Sequence, residues 1–444
     1  MESKLSKNIP DLAKGEVFSL KVVKKKSHGS HSRRRISRCI REVPLLRLAG
    51  GNKMRWSIFA LITVSTALMI GSALAQGTDV PGDNNGDKIV SAEEVAAAEK
   101  LAQEGKLSAD ELQEIKHIHE KYPIAITDSA NRTVMIYKPI TSIIIQLTSA
   151  YEPIWVLGAQ DKVIAVTTTA QEEYSWLPGI MEKAPVGAYK DIDVEKIIDL
   201  KPDIVLASVS SINTKGLDKQ LEPSGIATIG VEFVELERFE SELTNMARIL
   251  EKDEKGEEFI SWRNGYLTSI QNRTGEISPK IRVYGEWAHE KWATGGKTSA
   301  IQSVITAAGG ENIIGDLDKY WIVLDPEAVM SKNPQVIFLA CWSDMLGLTG
   351  YSIESPDKAD AFLNDAYNRT GLKETDAAKD QRIFIIDAGG VLSSCRSFIA
   401  TLDCAKRFYP EQFKDVNPEE VNREYFQNWI GVPYKGIWSY PQAI

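Results

Sequence analysis

From Ile124 to the end of the chain, short apolar runs alternate with longer stretches in which apolar residues recur every three or four positions. The runs are SIIIQLT (142–148), KVIAVT (162–167), DIVLAS (203–208), IATIGV (226–231), KIRVYG (280–285), QVIFLA (335–340) and RIFIID (382–387). Each is too short for a helix and is mostly apolar at successive positions, the pattern of strands buried on both faces. They predict a largely parallel sheet covered by helices, the α/β class. The opening ITDSANRTVMI sets turn residues between two β-rich arms and reads as a hairpin. Residues 253–275 read as one helix, about 30 Å long at a rise of ~1.5 Å per residue.

Two segments repeat. VEKIIDLKPDIVLAS (194–208) and PEAVMSKNPQVIFLA (326–340) align without a gap, matching Glu195 with Glu327 and Pro202 with Pro334. In each, a short helix stops near the proline and a buried strand follows. The duplication implies two Rossmann-like lobes, at 122–252 and 276–444, tied by a long linker helix at 253–275. A helix of that length is stiff, so a cleft between the lobes should move only slightly.

Upstream, residues 76–121 predict a small helical module with its own repeat, VSAEEVAAAEK from Val90 and LSADELQEIKH from Leu107. Each copy sets Ser before acidic residues, the chemistry of a helix start. Ahead of the first copy, Asp83, Asn85, Asp87, Ser91 and Glu94 place side-chain oxygens at positions 1, 3, 5, 9 and 12 of an EF-hand-like calcium loop, with the Ile89 carbonyl at position 7. Position 6 is Lys88 where such loops carry glycine, and a left-handed lysine costs about 1 kcal/mol. In the second copy the matching residues, Lys100, Ala102 and Glu104, have mostly lost the ligands. The expectation is a dockerin-like module that binds Ca2+ and engages a cohesin-like partner; the rival reading is an acidic, N-capped linker helix without metal.

Charge changes the picture at the start of the chain. Residues 1–53 carry 14 Lys and Arg against 4 Asp and Glu, whereas the chain from Gln76 carries 37 basic and 57 acidic residues. That acidity argues against nucleic acid as a partner. Residues 54–75 combine basic Arg55, an apolar run from Trp56 to Ile70 and Ala73-Leu74-Ala75, and they predict export through a signal peptide or a signal anchor. The basic segment ahead of Met54 fits a start placed too early. Beyond the signal stand Cys341, Cys395 and Cys404, an odd number that reads as buried free thiols.

The motifs ITDSANRTVMI, LGAQDKVIAV, VEKIIDLKPDIVLA, ITAAGGENIIGD, PEAVMSKNPQVIFLA and FYPEQFKDVNPEEVNREYFQNWIG together resemble the class III extracytoplasmic substrate-binding proteins of ABC importers, the ferric-siderophore and cobalamin binders. The resemblance implies a small-molecule metal chelate held between the lobes and an ABC permease as partner, docked through Glu195 and Glu327. The ligand then sits at the carboxyl ends of the strands. The loops there carry Tyr151, Glu152, Tyr189, Trp287, Trp292, Trp321, Trp342 and Arg396, whose aromatic faces suit a flat or greasy ligand and whose guanidinium suits an anionic group.

Histidine is scarce. Only His117, His119 and His289 follow the signal, too few for a bare zinc or manganese site, so a chelated metal is favoured. No nucleophile elbow, phosphate loop or H-E-x-x-H is present, and no catalytic residue is expected. The alternative is a calcium-dependent surface scaffold built on the dockerin-like segment.

Overall fold

The computed structural model describes residues 74–75 and 79–443, apart from 391 and 393. The basic segment and nearly all of the expected signal lie outside the described residues. All seven apolar runs become strands. The first lobe holds five parallel strands in the order Ala227–Val231, Ile204–Ser208, Ile143–Ile145, Val163–Val166 and Ala184–Pro185. The second holds Glu311–Asn312, Arg282–Trp287, Val336–Cys341, Ile383–Asp387 and Ser439–Tyr440, the last antiparallel to its neighbour.

Strands 204–208, 227–231, 336–341 and 383–387 are buried at every position. Each fully buried Val, Ile, Leu or Phe contributes roughly 1.5–3 kcal/mol, which is why unbroken apolar runs become strands covered on both faces.

The strand order sets the position of the site. In the first lobe the chain begins mid-sheet at Ile143–Ile145, moves outward through Val163–Val166, and returns on the other side at Ile204–Ser208. In the second lobe the same reversal falls between Arg282–Trp287 and Val336–Cys341. At such switch points the loops leaving adjacent strands part, opening a crevice at the carboxyl ends.

The duplicated segment forms the same unit twice. Helices Val194–Leu200 and Pro326–Lys332 are capped by Asp193 and Asp325, and each stops at a left-handed residue, Lys201 and Asn333. Glu195 and Glu327 lie exposed in their first turns.

The linker helix spans Asp253–Thr274 and buries Phe259, Arg263 and Ile270. The hairpin pairs Ile124–Thr127 with Thr133–Ile136. Its turn is held by Asp128, whose Oδ1 accepts the Ala130 and Arg132 amides while Oδ2 accepts the Gly230 amide at 2.9 Å. The hairpin is thereby pinned to the edge strand of the first sheet.

The N-terminal helices, Ala92–Gln103 and Ala109–Lys121, each begin with a complete capping box, Ser91 with Glu94 and Ser108 with Glu111. They pack on the first lobe. Val80, Val90, Ala98, Ile115 and Ile118 join the same core as Ile124 and Ile136. Tyr122 donates to Glu251 at 2.9 Å, just ahead of the linker helix, and His117 contacts the same carboxylate. Two amphipathic helices have too little shared surface to stand alone, so their apolar side is covered by the first lobe.

Candidate functional site between the lobes

In the second lobe, Trp287 closes one strand and Trp342 follows the neighbouring one, so the switch point itself brings them together. Their rings stack at 4.6 Å, and Trp321 stacks on Trp287 at 5.5 Å with an interplanar angle of 6°. His289 lies against both Trp321 and Trp342, at 5.4 and 5.6 Å. The buried Nε1 of Trp287 has no hydrogen-bond acceptor within the protein.

Across the cleft, the first lobe presents Gln146, Tyr189 and Glu232. Gln146 accepts from the Ser208 amide at 3.0 Å and donates to the Tyr189 carbonyl at 2.8 Å, tying the loops on either side of that lobe's switch point. Burial raises the Glu232 carboxyl above its usual range, against the opposing pull of a hydrogen bond from the Val209 amide. Tyr320, an exposed side chain of the second lobe, has its hydroxyl raised by desolvation and then by the charge of Glu232.

Deeper in, Arg396 and Glu152 form an ion pair across the lobes, each 1% exposed, with Nε to Oε2 at 3.0 Å and Nη2 to Oε1 at 2.9 Å. The Tyr425 hydroxyl donates to the same carboxylate at 2.5 Å. Ser394 adds bonds to the Phe233 and Ser149 carbonyls at 2.7 and 2.9 Å. Gly390 is required here, because a Cβ on it would fall 1.6 Å from Arg396 Nη2. Burial works against the Arg396 charge, but Glu152 outweighs it and holds the guanidinium protonated beyond its ordinary range. Asp387 is buried nearby and its pKa is pushed up to about 6 by that burial, which Arg396 only partly offsets. A cavity of about 30 Å³ remains between Trp176 of the first lobe and Trp342, Asp387 and Arg396 of the second.

The family model for periplasmic binding proteins matches residues 144–389, more than half of the chain. The chain belongs to the periplasmic binding protein family. It is 26% identical over 336 residues to the uncharacterized ABC transporter substrate-binding lipoprotein YvrC of Bacillus subtilis, covering 72% of this chain and 96% of that one. It is 23% identical over 337 residues to the molybdate-binding protein MolA of Haemophilus influenzae, covering 70% and 89%. Among solved structures, the TroA-like periplasmic binding protein FepB of Veillonella parvula superposes with a TM-score of 0.63 at 23% identity, over 71% of this chain and 99% of that one.

For this periplasmic binding protein, the expected ligand residues divide. Trp287, Trp321 and Trp342 gather at the second lobe's switch point, with Trp287 only 2% exposed, and Tyr189 lies on the loop that Gln146 holds in the first lobe. Tyr151 does not: it is wholly buried in the first lobe, its hydroxyl donating to the Ile145 carbonyl and accepting the Thr167 amide at 2.9 Å. Glu152 and Arg396 satisfy one another rather than standing open, although Arg396 still lines the small cavity with Nη1 unpartnered. Trp292 turns away from the stack and lies under Arg369 at 4.7 Å. Arg369 in turn pairs with buried Glu286 at 2.7 Å, so Trp292 belongs to the packing of the second lobe.

Sequence reasoning missed Trp176, Tyr320, Tyr351, Glu232 and Asp387. Trp176 reaches from the first lobe to stack on Tyr351 of the second at 5.5 Å. Asp387 ends a predicted strand and Glu232 follows one, so both stood at positions that the strand-end rule marks. The cysteines at 341, 395 and 404 are buried and free, as expected.

The segment from Asp83 is a tight loop held by its own side chains. Lys88 is left-handed, with φ 68°, and donates its amide to Asp83 Oδ2 at 2.8 Å. Asp83 Oδ1 accepts the Gly86 amide, Asn85 accepts that of Asp87, and Asp87 accepts that of Ile89. Glu94 closes the loop by accepting the amides of Asn84, Asn85 and Ser91. Among the described residues no three His, Cys, Asp or Glu side chains converge closely enough to hold a metal ion. The loop's carboxylates are turned to its own N–H groups rather than towards one another.

Proposed function

We propose that the protein is the exported substrate-binding component of an ABC importer, that it captures a metal chelate with flat conjugated or apolar faces, and that it delivers this chelate to the permease. Ferric siderophores, haem and corrinoids share that chemistry. The observation that carries the reading is the stack of Trp287, Trp321 and Trp342 beside His289, set at the switch point of the second lobe. Stacked rings offer area and little else, which suits a large planar ligand. A small oxyanion such as the one MolA binds needs converging N–H donors. Here Asp387 lines the small inter-lobe cavity, and Arg396 gives two nitrogens to Glu152. No bond is made or broken in this reading.

Transfer to the permease rests on Glu195 and Glu327, exposed at matching positions of the two lobes and in no ion pair among the described residues. Ca2+ in the loop from Asp83 is a further part of the proposal, as a clamp on the N-terminal helices. A scaffold that recruits a cohesin-like partner has less support, because the apolar side of those helices packs on the first lobe.

The test is titration of the purified protein with haemin, cyanocobalamin, a ferric catecholate and molybdate, followed by tryptophan fluorescence. Quenching by at least one chelate and none by molybdate is expected. Saturable binding of molybdate, with no response to any chelate, would overturn the reading.

A further inference from the structure

A second cavity, of about 480 Å³, lies in the second lobe apart from the cleft. The two are separated by strand alternation. Asp387 lines the small inter-lobe cavity, while its neighbour Ile386 points to the other face of the sheet and lines this one. The walls come from helix Ser397–Phe408, helix Pro418–Glu424 and the C-terminal stretch from Tyr434. Its volume falls within the roughly 300–1,000 Å³ of small-molecule sites.

The chemistry of the lining is one-sided. Ile386, Ile399, Ile437 and Trp438 supply apolar walls. The polar side chains include the carboxylates Asp403 and Glu419 and the amide of Asn422, and no Lys, Arg or His lines the space. Asp403 is 6% exposed and accepts from Arg407 at 2.9 Å and Ser439 at 2.7 Å, while Glu419 meets Arg423 at 3.4 Å. Those cations stand behind the carboxylates, outside the lining. Asn422 is 3% exposed; its side chain meets the Tyr434 hydroxyl, also in the lining, while its buried Oδ1 has no hydrogen-bond donor among the described residues. A buried acceptor left unpaired costs about 1–3 kcal/mol, so a native site that keeps one has a donor to fill it.

We propose that this cavity is a second ligand site, for a small amphiphilic amine: an apolar body against Ile399 and Ile437, with its ammonium group donating to Asn422 Oδ1 beside Asp403 and Glu419. An anion is disfavoured by two lining carboxylates, and a purely apolar molecule leaves Asn422 unsatisfied. The site is independent of the chelate reading, because it shares with the inter-lobe cavity no residue but Trp438.

The experiment uses the full chain and three probes of one shape, 2-phenylethylamine, 2-phenylethanol and 3-phenylpropionate, followed by calorimetry and ligand-observed NMR. Binding in the order amine, alcohol, carboxylate is expected. Asn422→Leu should weaken the amine by about tenfold or more, the loss of one hydrogen bond to a charged donor. Ile437→Trp, a partly exposed position at the cavity wall, should abolish it by filling the space and guards against misfolding of the Asn422 variant. Neither change should alter the affinity for haemin, read from the haem absorption band. Equal binding of amine and carboxylate, no amine binding at 10 mM (a concentration of the order of magnitude that detects the weakest useful fragments), or amine binding that survives Ile437→Trp each overturns the proposal.

Discussion

Glu152→Gln tests the strap between the lobes most directly. The carboxylate takes two guanidinium hydrogen bonds from Arg396 and one from the Tyr425 hydroxyl, with both charged side chains 1% exposed. Removing the charge leaves the Arg396 cation buried, with Asp387 as the remaining acidic neighbour, and Asp387 resists ionisation because burial has pushed its pKa up to about 6. Breaking one side of a buried pair costs about 3–5 kcal/mol, a large share of the ~5–15 kcal/mol that keeps a protein folded. Urea unfolding followed by tryptophan emission should show a loss of that size. The double variant Glu152→Gln with Arg396→Met should regain much of it, since an apolar side chain of similar length needs no counter-charge. A cost below about 1 kcal/mol for the single variant, or a double variant less stable than either single one, would refute the reasoning.

Other outcomes follow from the same geometry. Because the Asp387 pKa is raised from 3.8 to about 6, the folded protein holds a proton there that the unfolded chain releases, so stability contributed by this group is full below about pH 4 and falls by roughly 3 kcal/mol as the pH rises through 6. Asp387→Asn should flatten that part of the stability profile, and an unchanged profile would count against the assignment. Trp321→Ala should weaken chelate binding by about tenfold, the value of one or two lost ring contacts, while leaving the melting temperature nearly unchanged. Reversing both exposed charges, Glu195→Lys and Glu327→Lys, should alter stability by no more than about 0.5 kcal/mol each and leave chelate affinity intact, yet abolish uptake in a transport assay; weaker binding by the purified variant would contradict docking. Millimolar calcium should raise the melting temperature of the parent protein and not that of Glu94→Ala, and an equal response from both would remove calcium from the loop.

The sequence by itself determined the strands, the hairpin, the repeated helix and strand unit, and the left-handed turn at Lys88. All of these depend on neighbours a few residues apart: an apolar run can only be buried, Asp193 and Asp325 cap the helices that follow them, and the loop spacing dictates where the backbone must reverse. It also marked Trp287 and Trp342, because they stand at strand ends that the fold brings side by side. Tertiary structure decided the rest. Glu152 and Arg396 are 244 residues apart, and nothing local distinguishes a carboxylate that will meet a guanidinium from one that will meet a ligand. Tyr151 precedes Glu152 by one residue yet is wholly buried, Trp292 turns to Arg369, and Trp176 crosses to the other lobe. Burial and pairing at such separations are set by how two lobes close on one another, which local periodicity does not encode. The N-terminal helices make the same point: their apolar faces were legible, but the first lobe, not a partner, is what covers them.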